Sequence, residues 1–160
     1  MKVGFTGTQN GMTEFQKIEL AKLFNLLKVS EFVHGDCIGS DEEANEIAFN
    51  CGIRVFSIFP STYYKKRAFC FNESKILNND DGKWNTISYK NENVQVRWYP
   101  KDMPLNRNHH IVDNVARMIA TPKEHEHTLR SGTWATIRYA WKTKRDITII
   151  PPIIRGEEDK

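Results

Sequence analysis

Five short apolar runs, Lys2 to Thr6, Glu31 to His34, Arg54 to Phe59, Val115 to Ala120 and Ile147 to Ile150, punctuate the chain, and amphipathic helical patterns lie between most of them. Strand, helix and strand joined by short polar links can close only as a parallel sheet with right-handed crossovers. The pattern predicts an α/β chain with a doubly wound, mostly parallel sheet of about five strands and helices on both faces. The first run is apolar and contains Gly4, which places it centrally.

The helical patterns carry their own punctuation. Thr13 caps the first helix, and Gln16 completes a capping box. Phe15, Ile18, Leu20, Ala21, Leu23, Phe24 and Leu27 give that helix an apolar face. A second helix runs from about Glu42 to Asn50, turns Ala44, Ile47, Ala48 and Cys51 inward, and stops at Gly52. Two more are expected over Asn106 to Asn114 and Trp134 to Thr143. A single domain over residues 1–160 accommodates all of this, since 160 residues with 39% hydrophobic content build one core and not two.

From Ser61 to Met103 the αβ grammar lapses into polar and aromatic sequence. Trp84 to Tyr89 and Val94 to Tyr99 alternate about Lys90-Asn91-Glu92-Asn93, as a β-hairpin does. The segment reads as an insertion lying outside the sheet. Its aromatics Tyr63, Tyr64, Trp98 and Tyr99 either flank a base or hold the insertion down. After Pro151-Pro152 the tail Gly156 to Lys160 is charged and reads as a frayed end.

A net charge of +3 and a pI near 8.7 favour a small anionic ligand and fall short of a dedicated duplex binder. Cys37, Cys51 and Cys70 fit no zinc or disulfide spacing, which predicts reduced thiols, with Cys51 and Cys70 as packing residues. Met1-Lys2 leads directly into a strand, and no apolar run approaches spanning length. The expectation is a soluble, cytoplasmic protein that needs no membrane.

Four polar turns follow strands or open helices: Gly7-Thr8-Gln9, Gly35-Asp36 through Gly39-Ser40-Asp41, Leu105 through Arg107-Asn108, and Ser131-Gly132-Thr133 on to Thr136. In an open parallel sheet such turns converge at the carboxyl ends of the strands. Glycine-turn amides and the hydroxyls of Ser131, Thr133 and Thr136 suit phosphate, because first-turn amides are unpaired and the helix dipole is positive there. Arg107 offers a guanidinium fork, so its loss is expected to weaken binding and to leave stability nearly unchanged. Asp36 and Asp41 either accept from ribose or base, or brace a turn and cap a helix.

Gly4-Phe5-Thr6-Gly7, His34-Gly35-Asp36-Cys37-Ile38-Gly39-Ser40-Asp41, Asn106-Arg107-Asn108-His109-His110-Ile111-Val112-Asp113 and Ser131-Gly132-Thr133-Trp134-Ala135-Thr136 resemble, in this order, the SLOG superfamily. That group includes the lonely-guy phosphoribohydrolases, the DNA-processing protein A family and small Rossmann-like nucleotide-binding proteins. The resemblance covers about two thirds of the chain and omits Ser61 to Met103. It implies a Rossmann-like fold and a nucleotide site, and it aligns Arg107 with the arginine the lonely-guy enzymes use to cleave an N-glycosidic bond. Those enzymes also carry a glutamate after the glycine-rich turn, where this chain has Arg138 or Tyr139. A carboxylate there stabilises charge developing on ribose, and an arginine repels it.

Two functions follow. The first is a sensor, carrier or sponge for a nucleotide or nucleotide-derived signal, with Arg138 adding a cation on the phosphate side. The second is a nucleotide hydrolase or transferase acting on a glycosidic or phosphate bond, drawing an acid from Asp36, Asp41 or Glu42. Single-stranded nucleic acid is the weaker partner, and an assembly of identical chains is expected. No cofactor is expected, and no metal: His125-Glu126-His127 lacks a third ligand. Of His109-His110, only one imidazole can face a pocket. Glu42, Glu43 and Glu46 read as a solvated helix face, and Cys37 as a turn filler or, less simply, a nucleophile.

Overall fold

A strand flanked by neighbours on both edges and helices on both faces tolerates little side-chain bulk, and glycine at position 4 meets that demand. The computed structural model describes residues 1–73 and 82–153. The charged tail and the 74–81 part of the insertion lie outside the described residues. β1 (Lys2–Gly7) runs parallel to β2 (Glu31–His34) on one side and β6 (Arg117–Thr121) on the other. A Cβ at Gly4 would stand 2.6 Å from Met118 Sδ and 3.0 Å from Ile111 Cγ2.

The sheet has seven strands in the order β4-β5-β3-β2-β1-β6-β7, with β3 (Val55–Ile58), β4 (Asn85–Tyr89), β5 (Glu92–Trp98) and β7 (Asp146–Ile149) completing it. All pairings are parallel except β4 with β5. Among the strands expected from the sequence, β1 is the middle one, and the order of connection reverses there. α1 (Glu14–Leu26) and α2 (Ser40–Asn50) cover one face, where Leu20, Phe24, Ala44 and Ala48 pack on Val3, Phe5, Phe32 and Phe56. α3 (Pro104–Asp113) and α4 (Gly132–Lys142) cover the other, through Ile111, Val112 and Ala140 on Val33 and Met118. Among the described residues no helix is long and apolar enough to cross a membrane.

The hairpin of the insertion is not outside the sheet. β5 lies parallel to β3, in register from Val55↔Gln95 to Ile58↔Trp98, and β4 forms the edge. The reason is alternation: Val94, Val96 and Trp98 point into the same core as Phe56, and pairing with β5 satisfies the free edge of β3. The turn is tighter than expected, since Tyr89 pairs with Glu92 and leaves only Lys90-Asn91, both at positive φ (48° and 65°), as a two-residue mirror-image turn requires. The seven strands therefore exceed the expected five by this hairpin.

The helix ends behave as their sequences dictate. Thr13 and Gln16 form the capping box, and Gly52 adopts φ +94° after α2. α2 begins at Ser40 rather than Glu42, and α3 begins at Pro104, where a fixed φ suits the first turn. One expectation on α1 fails. Ile18 is 55% exposed, and Gln16 takes an inward position, donating to the carbonyls of Pro122 (2.8 Å) and Ile150 (2.9 Å) and tying α1 to the ends of β6 and β7.

Gly4→Ala is expected to destabilise the protein by about 2 kcal/mol, the scale of overpacking. Urea unfolding should show a lower midpoint at unchanged slope. An unshifted midpoint would show that α3 and β6 leave more room beside β1 than the distances allow.

Candidate functional site

The carboxyl ends of β1, β2 and β6 open onto one cleft of about 620 Å³. One of the four polar turns lines it throughout, and the other three do so in part. Gly7, Thr8 and Gln9 form one lip. Gly7 is obligatory because a Cβ there would collide with Thr121 Oγ1 and the Ser40 side chain. Ser40 holds the lip from behind, donating its amide (3.1 Å) and its hydroxyl (2.6 Å) to the Thr8 carbonyl. Gly39, at φ +86°, packs against the Gln9 backbone. Gly39 and Ser40 are thus supports of the lip and do not line the cleft.

The opposite wall is the amino end of α4. Ser131 caps the helix by accepting from the Trp134 amide (3.1 Å), and Ser131, Gly132 and Thr133 face the cleft. An α-helix leaves its first amides without intrahelical acceptors. Among the described residues, those of Gly132 and Thr133 have no acceptor, so this wall presents donors with a positive dipole end behind them. Thr136 does not join it. Its hydroxyl donates back to the Gly132 carbonyl (3.0 Å) and is buried inside the helix.

Arg107 is the floor. It is buried, and its guanidinium donates to the carbonyls of Gly35 (2.7 Å) and Phe59 (3.2 Å), to Asn108 Oδ1 (2.7 Å) and to Cys37 Sγ (3.3 Å). Gly35 serves this contact, since a Cβ would overlap the guanidinium, and it does not itself line the cleft. Arg107 is therefore both a brace and a cleft residue, and the expectation that its loss would spare stability is corrected: two buried carbonyls would be orphaned.

The three carboxylates proposed as acids separate. Asp36 turns away from the cleft: Oδ2 accepts Nε (3.0 Å) and Nη2 (2.5 Å) of Arg67, and Oδ1 accepts the Cys70 amide (2.9 Å). It braces the turn, as the bland reading held. Glu42 is exposed on α2 and outside the cleft. Asp41 does line the cleft and accepts the Cys37 amide (3.1 Å). Burial pushes its carboxyl above the ordinary carboxylate value, against the opposing pull of His34 and Arg107. The Cys37 thiol is likewise pushed up, by burial and by Asp41, which argues against an activated nucleophile. Arg138 is absent from the cleft and donates to His127 Nε2 (2.7 Å) and the Thr128 carbonyl (3.4 Å), fastening the loop before α4. His109 stacks on Tyr139 at 3.7 Å and His110 bonds Asp102, so neither lines the cleft.

Sequence reasoning named Tyr63 as one of four aromatics able to flank a base, but it missed Ser61 and Lys66 from the insertion, and Lys123, Glu124 and Arg130 from the loop before α4. The residue types were ordinary surface ones, and only a charged loop preceding the hydroxyl turn hinted at them. Together they give the cleft four cations, Lys66, Arg107, Lys123 and Arg130, against two carboxylates. Among the described residues none of these four has an ion-pair partner, whereas Lys17, Arg67, Lys90 and Arg97 elsewhere do. No group of three or more His, Cys, Asp or Glu able to hold a metal occurs among the described residues.

No protein-family model and no curated protein matches the sequence. Solved structures do. The molybdenum cofactor binding protein of Rippkaea orientalis is 14% identical with a TM-score of 0.62, covering 98% of this chain and 80% of its own. DNA processing protein A of Streptococcus pneumoniae is 21% identical with a TM-score of 0.63; the match covers 97% of this chain but only 52% of that one. TM1055 is 13% identical with a TM-score of 0.57, over 97% of this chain and 74% of its own. At these identities the likeness is one of fold, and the fold is a Rossmann-like one.

The Asp41 shift has a consequence for stability. A carboxyl whose folded pKa is raised stabilises the native state fully below its unfolded value and loses that contribution as pH rises through the folded one. Asp41→Asn, which keeps an acceptor for the Cys37 amide, should raise the melting temperature at pH 7, and the gain should shrink as pH falls toward 3.8. Thermal melts of both proteins from pH 4 to 8 check this; a gain independent of pH would mean that Asp41 is not carrying an unfavourable charge.

Proposed function

We propose that the cleft binds a nucleotide or nucleotide-derived ligand, with a phosphate held between the amino end of α4 and the Gly7-Thr8-Gln9 lip, above Arg107. The observation that carries this reading is the buried Arg107 guanidinium on the cleft floor. A buried cation is costly unless an anion faces it, and among the described residues no carboxylate pairs with this one. Amide donors of Gly132 and Thr133 and the rim cations Lys123 and Arg130 add to the same field. A protein described as binding the molybdenum cofactor and another described as processing DNA have this fold, which supports a binding role for the cleft.

One observation favours the second reading, a hydrolase. A carboxyl whose pKa is raised by burial gives up a proton to a departing base at a higher pH than an ordinary one, and Asp41 is such a group inside the cleft. Asp41 alone survives as a catalytic candidate, since Asp36 is spent on Arg67 and Glu42 stands outside. Glycosidic cleavage also needs negative charge beside the ribose, and Asp41 cannot supply it while acting as the acid. Binding is therefore the reading stated here.

The test is calorimetric titration with a panel of nucleoside monophosphates, run beside chromatography for released base. Lys123→Ala and Arg130→Ala remove exposed cleft cations without touching the core. Each is expected to weaken binding about fivefold, the scale of one partly exposed charge-assisted contact, at unchanged melting temperature. Unaltered affinity in both variants would overturn this placement of the phosphate. Base release abolished by Asp41→Asn would replace binding with hydrolysis.

A further inference from the structure

Residues 61–67, which follow β3, form a strap over one end of the cleft, fastened at Ser61 and at Arg67. At Ser61 it bridges to Asp102, whose carbonyl accepts the Thr62 amide (2.9 Å). At Arg67 it bridges to Cys37, and the Ile38 amide donates to the Lys66 carbonyl (2.9 Å). Below it, Asp36 takes two hydrogen bonds from Arg67, its carbonyl accepts the Ala68 amide (2.8 Å), and Glu73 binds Arg67 from the other side. Burial works against the Arg67 charge, but Glu73 and Asp36 outweigh it and raise its pKa. A segment this heavily tied is a fixed wall, and it presents Tyr63 and Lys66 to the cleft.

Lys66 differs from its neighbour Arg67, which Asp36 and Glu73 neutralise. Its backbone is held by Ile38 and by the 3₁₀ turn Tyr64–Lys66, while its ammonium has only the Tyr63 ring, 5.7 Å from centroid to Nζ. Among the described residues no carboxylate pairs with it. The α4 end and the strap thus carry separate cationic seats, with Arg107 on the floor that both share. A cleft of about 620 Å³ with seats contributed by two different walls is matched to a ligand with more than one anionic group.

We infer that Lys66 is a specificity-determining residue for a second phosphoryl group, so that the cleft selects nucleotides carrying two phosphates over monophosphates. This rests on the nucleotide reading above. Lys66 contacts the added phosphoryl group and contributes nothing to the first, which the α4 seat holds. The strap, through the buried Asp36–Arg67 pair, sets where Lys66 stands; it is the wall that reads the ligand, and the sheet-borne turns are the part that anchors it.

The experiment is a double-difference cycle in calorimetry on the full chain, with adenosine 5′-monophosphate, adenosine 5′-diphosphate and adenosine 3′,5′-bisphosphate as probes, against wild type and Lys66→Met. The wild type is expected to bind at least one two-phosphate probe about tenfold more tightly than the monophosphate. Lys66→Met should abolish that advantage and change monophosphate affinity by less than about twofold, with the melting temperature held. Lys66→Arg should restore the preference, which a merely structural role for the side chain would not predict. Equal loss for all three probes, or no loss for any, overturns this inference and leaves the nucleotide site standing. Failure of every probe to bind the wild type overturns the nucleotide reading and this inference with it.

Discussion

The buried carboxylate of Asp36 is the point on which the cleft's geometry depends. A carboxylate 2% exposed is tolerable only when its lone pairs are filled, and here they are: Arg67 takes one oxygen twice and the Cys70 amide takes the other. Its own amide donates to His34 Nδ1, so His34 must carry its proton on Nε2, facing Asn45 Oδ1 at 2.8 Å. Asp36 also sits at φ +56°, a left-handed conformation that these bonds over-determine. One residue thereby locks the turn after β2 to α2 behind it and to the strap beside it. Removing either partner of the Asp36–Arg67 pair would leave a buried charge, a loss of about 3–5 kcal/mol by general experience.

Charge in this protein is divided by location. Inside the scaffold, cations are neutralised: Arg67 by Asp36 and Glu73, Arg97 by Glu31, Lys17 by Glu43. Around the cleft they are not, and burial disfavours the charged form of the one acidic group near the floor, Asp41. A field left uncompensated in the free protein is a stability cost that an anionic ligand removes on binding, which is the usual thermodynamic mark of a site rather than of a brace. Arg107 belongs to both categories, because its carbonyl contacts satisfy hydrogen-bonding capacity while, among the described residues, no carboxylate forms an ion pair with it.

What the sequence disclosed and what it hid divide along the same line. The parallel strands, the capping box at Thr13 and Gln16, the Gly52 stop and the turns at Gly7 and Ser131 were legible because each depends on residues within a few positions of one another. Asp36 stayed open between ligand acceptor and brace because its partner Arg67 lies 31 residues away in a segment with no helical or strand period. The same distance hid Lys66. The hairpin was visible by alternation, but its parallel docking on β3 depends on an open sheet edge that no local pattern records. Arg138 was placed by resemblance of motifs, and its guanidinium instead reaches His127 in the loop before α4.

These two kinds of residue also contribute differently to recognition. Arg107, held by three hydrogen bonds to oxygen, and the α4 amides are fixed before any ligand arrives, so they lose no freedom on binding. Lys66, Lys123 and Arg130 have exposed side chains, and each gives up rotamer freedom to make its contact. In the proposed site the fixed group would set a baseline affinity for any ligand with a phosphate, and the mobile group would add to it and decide which ligand is preferred. Because the mobile cations come from the strap and the loop before α4, outside the strands and helices of the sheet layer, their identity can change without disturbing the fold. In the proposed site the anion seat thus belongs to the sheet-borne scaffold, and preference for a particular ligand belongs to the strap and the loop.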